Sequence, residues 1–145
     1  GLLYGSLAPA LLVKGVTRAL NESRAKKIYV CNLVTKPGQN DGYKVSDFAE
    51  EIERFAGVKM DYVLYNNHRP GPELIDKYAH DGEFLVEWDE GELSTKHYRA
   101  VGKKFIADSA WVNKNATSDP LAAQRSLIRH DADRVARELM RIFFA

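Results

Sequence analysis

A chain of 145 residues is long enough for one domain with a sizeable core, and 45% hydrophobic with 28% charged residues is ordinary for a globular protein. The net charge of +1 gives no composition-level case for nucleic acid or a membrane surface, and no apolar run approaches the ~18 residues of a membrane span. The opening residues lack the basic region and cleavage pattern of a secretory signal, and the single cysteine, Cys31, has no internal disulfide partner; both fit a reducing, cytoplasmic setting. Asn115-Ala116-Thr117 matches a glycosylation acceptor, which in that setting reads as chance.

Residues 6–20 read as a helix, with Ser6 able to cap it and Pro9 in the first turn, where a missing N–H costs little. Leu7, Leu11, Leu12, Gly15, Val16 and Ala19 recur at helical spacing and predict one buried face. Lys26 to Leu33 reads as a strand, apolar on both faces at its centre and therefore expected inside a sheet. After a polar loop, Asp47 and Glu50 have capping-box-like spacing, with Ser46 as a competing cap. Phe48, Ile52 and Phe55 form an apolar stripe, and Gly57 is the natural stop.

Asp61 to Tyr65 predicts the next strand, ending in the turn-rich run Asn66-Asn67-His68-Arg69-Pro70-Gly71-Pro72. Glu73 to Tyr78 reads as a short helix stopped near Gly82, and Phe84 to Trp88 as a short strand. Glu92 to Arg99 fits either a loop or a strand-like excursion, while Lys104 to Ala107 is expected as a strand. Residues 109–128 look irregular. Asp131 then caps a final helix that would turn Val135, Ala136, Leu139, Ile142 and Phe143 inward.

Strands alternating with helices predict an α/β fold with a mainly parallel sheet. Right-handed crossovers would place the strand carboxyl ends along one edge, gathering Asn32, Thr35, Asn66, Asn67, Asp89 and Asp108. Ligands of open α/β sheets bind at such an edge. The chain opens with Gly1-Leu2-Leu3-Tyr4-Gly5-Ser6, a turn running into a helix with no strand before it; the expectation is the C-terminal portion of a longer protein.

The run from Cys31 to Tyr43 supports two readings. In one, Gly38 and Gly42 let backbone N–H groups approach phosphate oxygens, Lys36 adds a point charge, and Asn32 and Thr35 fix orientation. In the other it is a tight turn whose Asn32 and Thr35 bond their own backbone. Tyr4, Gly5 and Ser6 would present a helix N-terminus to phosphate, or Ser6 simply caps. Asn66 and Asn67 would read a base or sugar edge, or supply turn chemistry. Arg129 would hold a diphosphate bidentately, or pair with a carboxylate; His130 and Asp131 read as structural. Tyr78 would stack on a base or simply pack, Lys14 reads as solvated, and Cys31 as a small buried apolar residue. The four histidines have no paired metal spacing, and no Gly-x-Ser-x-Gly or Ser/His/Asp pattern is present.

Gly1 to Ser6, then Pro9 and Leu11-Leu12-Val13-Lys14-Gly15, resemble the opening turn of the YvcK/CofD-like family, the gluconeogenesis-factor group. Cys31-Asn32-Leu33-Val34-Thr35-Lys36-Pro37-Gly38 resembles its Cys-Asn-x-x-Thr-Gln-Pro-Gly segment, and Asp41-Gly42-Tyr43 with Ser46-Asp47 follows at the family's spacing. Ile128-Arg129-His130-Asp131 resembles its Ile-Arg-His-Asp element. Three positions depart from the pattern: Lys36 stands for Gln, Gln39 for Glu and Asn40 for Thr. The resemblance implies a Rossmann-like three-layer αβα fold, here without the family's glycine-rich first strand-turn.

It also implies a nucleotide site at the strand carboxyl ends. In the YvcK branch that site is associated with uridine-diphosphate sugars and with regulation of carbon metabolism and the cell envelope. In the CofD branch a phospholactyl group passes from a guanosine diphosphate carrier to a deazaflavin, with Mg2+ implied only there. Residues and resemblance together give the candidate ligand set Tyr4, Gly5, Ser6, Asn32, Thr35, Lys36, Pro37, Gly38, Asp41, Asn66, Asn67 and Arg129, with no catalytic residue and no metal ligand assigned. A third expectation is an interaction half-domain without a small ligand, pairing through an open sheet edge with another copy or with the missing segment.

Overall fold

The computed structural model describes residues 3–108 and 128–145. Helix α1 (Ala8–Leu11) follows a π-helical turn at Leu3–Leu7, and α2 (Val16–Glu22) follows α1. Then come β1 (Ile28–Val30), α3 (Val45–Ala56), β2 (Tyr62–Asn66), α4 (Pro72–His80), α5 (Glu90–Ser94), β3 (Arg99–Lys103) and α6 (Ala132–Phe144). The three strands are parallel in the order β1-β2-β3, with Tyr29 opposite Val63 and Tyr65 opposite Gly102. Being central, β2 carries the most buried run, Val63, Leu64 and Tyr65.

Each face of the sheet has its own core. On one side α3 lays Phe48, Ala49, Ile52 and Ala56 beside Tyr29, Val63 and Tyr65. On the other, Val135, Leu139 and Ile142 of α6 cover Leu64, Val101 and Phe105. Fully burying a side chain such as Phe48 or Ile142 contributes about 1.5–3 kcal/mol, so these two stripes hold the helices on the sheet. The result is the expected three-layer α/β arrangement, with the strand carboxyl ends aligned on one edge.

Local signals placed most of the helices. Gly57 ends α3 in the left-handed conformation (φ 64°), and a side chain there would also meet Thr17 Cγ2 at 2.7 Å. Asp131 accepts from the Arg134 N–H at 3.0 Å and caps α6. The start of α3 differs from expectation: Lys44 is the cap residue, and the Asp47 carboxylate reaches back to its N–H at 2.8 Å, so neither Ser46 nor Asp47 is the cap.

Several expectations are corrected. Residues 6–20 are not one helix, because Gly15 adopts φ 94° and breaks the run between α1 and α2. Ser6 lies inside the π-helical turn, and no side chain caps α1. The supposed buried face is open at Leu7, Leu12, Gly15 and Ala19, so periodicity overstated what the neighbouring layer could cover. On α6, Ala136 and Phe143 face outward. Strand β1 is an edge, not an interior strand, among the described residues, because only β2 pairs with it.

Residues 84–88 do not join the sheet. Leu85 bridges Val34 and Glu87 bridges Lys44, so this extended segment braces the loop after β1. Helix α5 lies within residues 89–103, and β3 ends where a strand was expected to begin. Of the residues expected at the sheet edge, Asp89 instead caps α5, accepting from Glu92 N–H at 3.0 Å. Expectations for residues 109–127, the Asn115 motif included, lie outside the described residues.

Candidate functional site

The carboxyl ends of β1 and β2 open into a narrow crevice lined by Asn32, Asn66, His68, Leu85 and Trp88. A second cleft, of about 220 Å³, lies between the 35–43 loop, α4 and the 83–87 segment, and Leu85 lines both. Tyr43, Ile75, Tyr78, Phe84 and Ile128 give that cleft an apolar lining, and Arg69, Glu83 and Glu87 bring charge to it. Both clefts lie where a parallel α/β sheet takes ligands.

The 35–43 loop owes its shape to its own polar groups. Thr35 is buried; its hydroxyl accepts from Phe84 N–H at 3.1 Å and donates to Phe84 O at 3.3 Å. Asn40, equally buried, accepts the Lys36 N–H at 2.6 Å. Gly38 sits at φ 73°, and its N–H is taken by Asp41 Oδ2 at 2.7 Å. The Lys36 ammonium pairs with Glu83, and exposed Pro37 packs beside Gly82. A carboxylate of the chain thus occupies the N–H that a phosphate oxygen would use. Asn40 was missed as a loop organiser; its place inside a Gly/Pro-turned run was the available signal.

The other candidates divide between the clefts and the flank of α3. Asn32 Oδ1 accepts from the Tyr29 hydroxyl at 2.8 Å. Asn66 Oδ1 accepts from both Phe105 N–H and Ile106 N–H at 3.1 Å, while its Nδ2 donates to His68 O at 2.6 Å. Asn67 N–H bonds Lys103 O at 3.1 Å and so continues the β2–β3 ladder. Arg129 is exposed, and its carbonyl accepts from Ala107 N–H at 2.9 Å. It follows Ile128, which lines the larger cleft and whose N–H donates to the Tyr78 hydroxyl at 2.9 Å; Arg129 itself lines neither cleft. His130 Nε2 donates to Cys31 O at 3.1 Å, and burial lowers its pKa, favouring the neutral ring.

Tyr4 is elsewhere. Its hydroxyl donates to Glu51 Oε1 at 3.0 Å and lies 3.2 Å from the Tyr43 hydroxyl, against α3. Those hydrogen bonds, the one to Tyr43 foremost, together with burial push its phenol well above the usual range. Gly5 and Ser6 are exposed in the turn beside it, and none of the three lines either cleft. Among the described residues no group of three or more His, Cys, Asp or Glu is placed to hold a metal ion, and no helix is long and apolar enough to cross a membrane.

The cleft charges are largely matched in pairs. Arg69 Nη2 reaches both carboxylate oxygens of Glu87 at 2.7 Å, and both partners are about half exposed. An exposed pair of this kind contributes little to stability, so exchanging Glu87 for an incoming anion costs little.

The sequence model for the family described as 2-phospho-L-lactate transferase CofD matches residues 1–106. The chain belongs to the CofD family. Within the family it is similar to the gluconeogenesis factor of Bacillus subtilis, 30% identical over 97% of this chain and 40% of that protein. A Thermotoga maritima relative is 37% identical over 98% of this chain and 41% of its own length. A crystal structure of a Bacillus halodurans protein superposes with a TM-score of 0.79 at 28% identity, covering 97% of this chain and 40% of that one. The chain therefore spans about two-fifths of the length of these CofD-family relatives. The family relationship and the α/β fold agree with the resemblance carried by the Cys31–Gly38 and Ile128–Asp131 segments.

Proposed function

We propose that this chain carries part of a nucleoside-diphosphate-sugar site, of the uridine kind, in a YvcK-like cytoplasmic regulator of carbon metabolism and cell-envelope synthesis. The observation that carries the reading is a pair of neighbouring clefts formed by the loops that follow β1 and β2, in a chain that resembles gluconeogenesis factors along almost its whole length. Asn32 lines the inner crevice, Arg129 directly follows Ile128 of the outer cleft along the chain, and Arg69 can trade its exposed Glu87 partner for a phosphate oxygen. Thr35, Lys36, Pro37, Gly38 and Asp41 act by shaping the loop that walls the cleft. Asn66 and Asn67 fix the ends of β2 and β3. Tyr4 braces that loop through Tyr43, and Gly5 and Ser6 lie exposed in the turn that carries it.

The test is calorimetric titration of the full-length protein with UDP-N-acetylglucosamine and with GDP, each with and without Mg2+. Micromolar binding selective for the uridine compound is the expected result, and a loss of tenfold or more on changing Asn32 and Arg129 together to Ala supports them as contacts. A smaller loss removes those two residues from the site.

A second reading is favoured by one observation, the transferase description of the family that matches residues 1–106. Phosphoryl-group chemistry needs mainly positioning and charge neutralisation, so the described clefts are compatible with it. Binding confined to the guanosine compound with Mg2+, and product formed with a deazaflavin acceptor, would decide for a phospholactyl transferase.

A further inference from the structure

We infer that the 220 Å³ outer cleft is the nucleobase pocket of this site, with Tyr43, Tyr78 and Phe84 as its aromatic walls. The inference rests on the nucleotide reading above and goes beyond it by assigning the ring to one place. Two of the walls are fixed in advance. The Tyr43 hydroxyl is tied to that of Tyr4 at 3.2 Å, and the Tyr78 hydroxyl accepts from Ile128 N–H at 2.9 Å. Rings held at their polar tips lose little freedom when a flat group enters between them.

The third wall is anomalous as a packing residue. Phe84 is 55% exposed, and among the large exposed hydrophobic side chains it is the one that lines a described cleft. Its backbone is pinned in both directions to Thr35, so the ring is presented from a fixed point: Thr35 N–H donates to Phe84 O at 2.8 Å, and Phe84 N–H donates to the Thr35 hydroxyl at 3.1 Å. An aromatic face held open beside a cleft of single-ring to double-ring size suits a planar heterocycle.

The polar groups suit the edge of such a ring. When Arg69 turns to a phosphate oxygen, the Glu87 carboxylate is left at the cleft rim as an acceptor for the N–H groups of a base edge. Leu85 lines both clefts, so a base in the outer one lies one side chain away from the crevice that Asn32 lines.

The experiment uses the full-length protein and three probes: UDP-N-acetylglucosamine, GDP and inorganic pyrophosphate. Phe84 is exposed, so Phe84→Ala leaves the core intact; Phe84→Tyr keeps the ring. Stacking on one aromatic face predicts that Phe84→Ala weakens the preferred nucleotide by roughly 5-fold or more, that Phe84→Tyr restores binding, and that pyrophosphate affinity is unchanged. If the wild type binds a nucleotide and Phe84→Ala stays within twofold of it, the base lies elsewhere and this assignment falls while the nucleotide reading stands. An equal loss for pyrophosphate and nucleotide also overturns the assignment. If the wild type binds neither nucleotide, both readings fall together.

Discussion

Asn66 offers a sharp test of how this site is built. Its Oδ1 is the acceptor for two consecutive amides, Phe105 N–H and Ile106 N–H, each at 3.1 Å, and both residues are buried. That single side chain therefore turns the backbone just after β3 under the end of β2. Asn66→Ala strips the acceptor from both donors. A buried N–H left without a partner costs about 1–3 kcal/mol, and partial rehydration from the crevice keeps the pair near the lower part of the range, about 2–4 kcal/mol in total. For a chain of this size that corresponds to a fall of roughly 5–15 °C in Tm. Asn66→Asp keeps an acceptor for both amides but turns the donation to His68 O into a repulsion between two acceptor oxygens, so it should recover only part of the loss. The direct assay is hydrogen exchange at the two amides, with thermal unfolding beside it. An alanine variant that melts within a degree of wild type, keeps both amides protected and yet loses nucleotide binding would refute the reasoning and return Asn66 to the ligand.

Other consequences follow from single contacts. A methyl group at Gly102 would lie 2.5 Å from Tyr65 Cζ and Oη across the β2–β3 register, so Gly102→Ala should cost about 1–3 kcal/mol in chemical denaturation, and Tyr65→Phe should not relieve it, because the ring carbon clashes as well as the hydroxyl. Burial opposes ionisation of Glu53, but Lys59, Met60 N–H and His97, at 2.8, 2.7 and 2.6 Å, outweigh it and hold the carboxyl below its usual pKa. Its folded pKa is the lower one, so its contribution is full above the unfolded value near about 4.3 and is lost as pH falls through the folded value; Glu53→Gln should flatten that part of the stability–pH curve. Burial pushes the Cys31 thiol up to about 12, so a thiol reagent at pH 8 should label it only on unfolding; rapid labelling of the native protein would contradict its placement.

The sequence by itself determined the helical stripe of α3, the Val135, Leu139 and Ile142 part of that of α6, the stops at Gly57 and near Gly82, the cap at Asp131, the buried Cys31 and the alternation that makes the fold α/β. Each of these depends on residues within a few positions of one another, where spacing and backbone conformation carry the signal. Tertiary structure decided the rest. Phe84 to Trp88 has the composition of a strand but bonds Leu33, Thr35 and Val45 outside the sheet, whereas Arg99 to Lys103, polar at both ends, forms β3 because β2 offers it a ladder. The same limit applied to the site. That Asn32 and Asn66 share a crevice and that Tyr4 reaches Tyr43 are matters of partners 34 and 39 residues apart, and that Phe84 stands open in the cleft that Tyr78 also lines is a matter of a face left uncovered. Hydrogen-bond partners and cleft walls at such separations are fixed by how the layers pack, and no local pattern of residues specifies them.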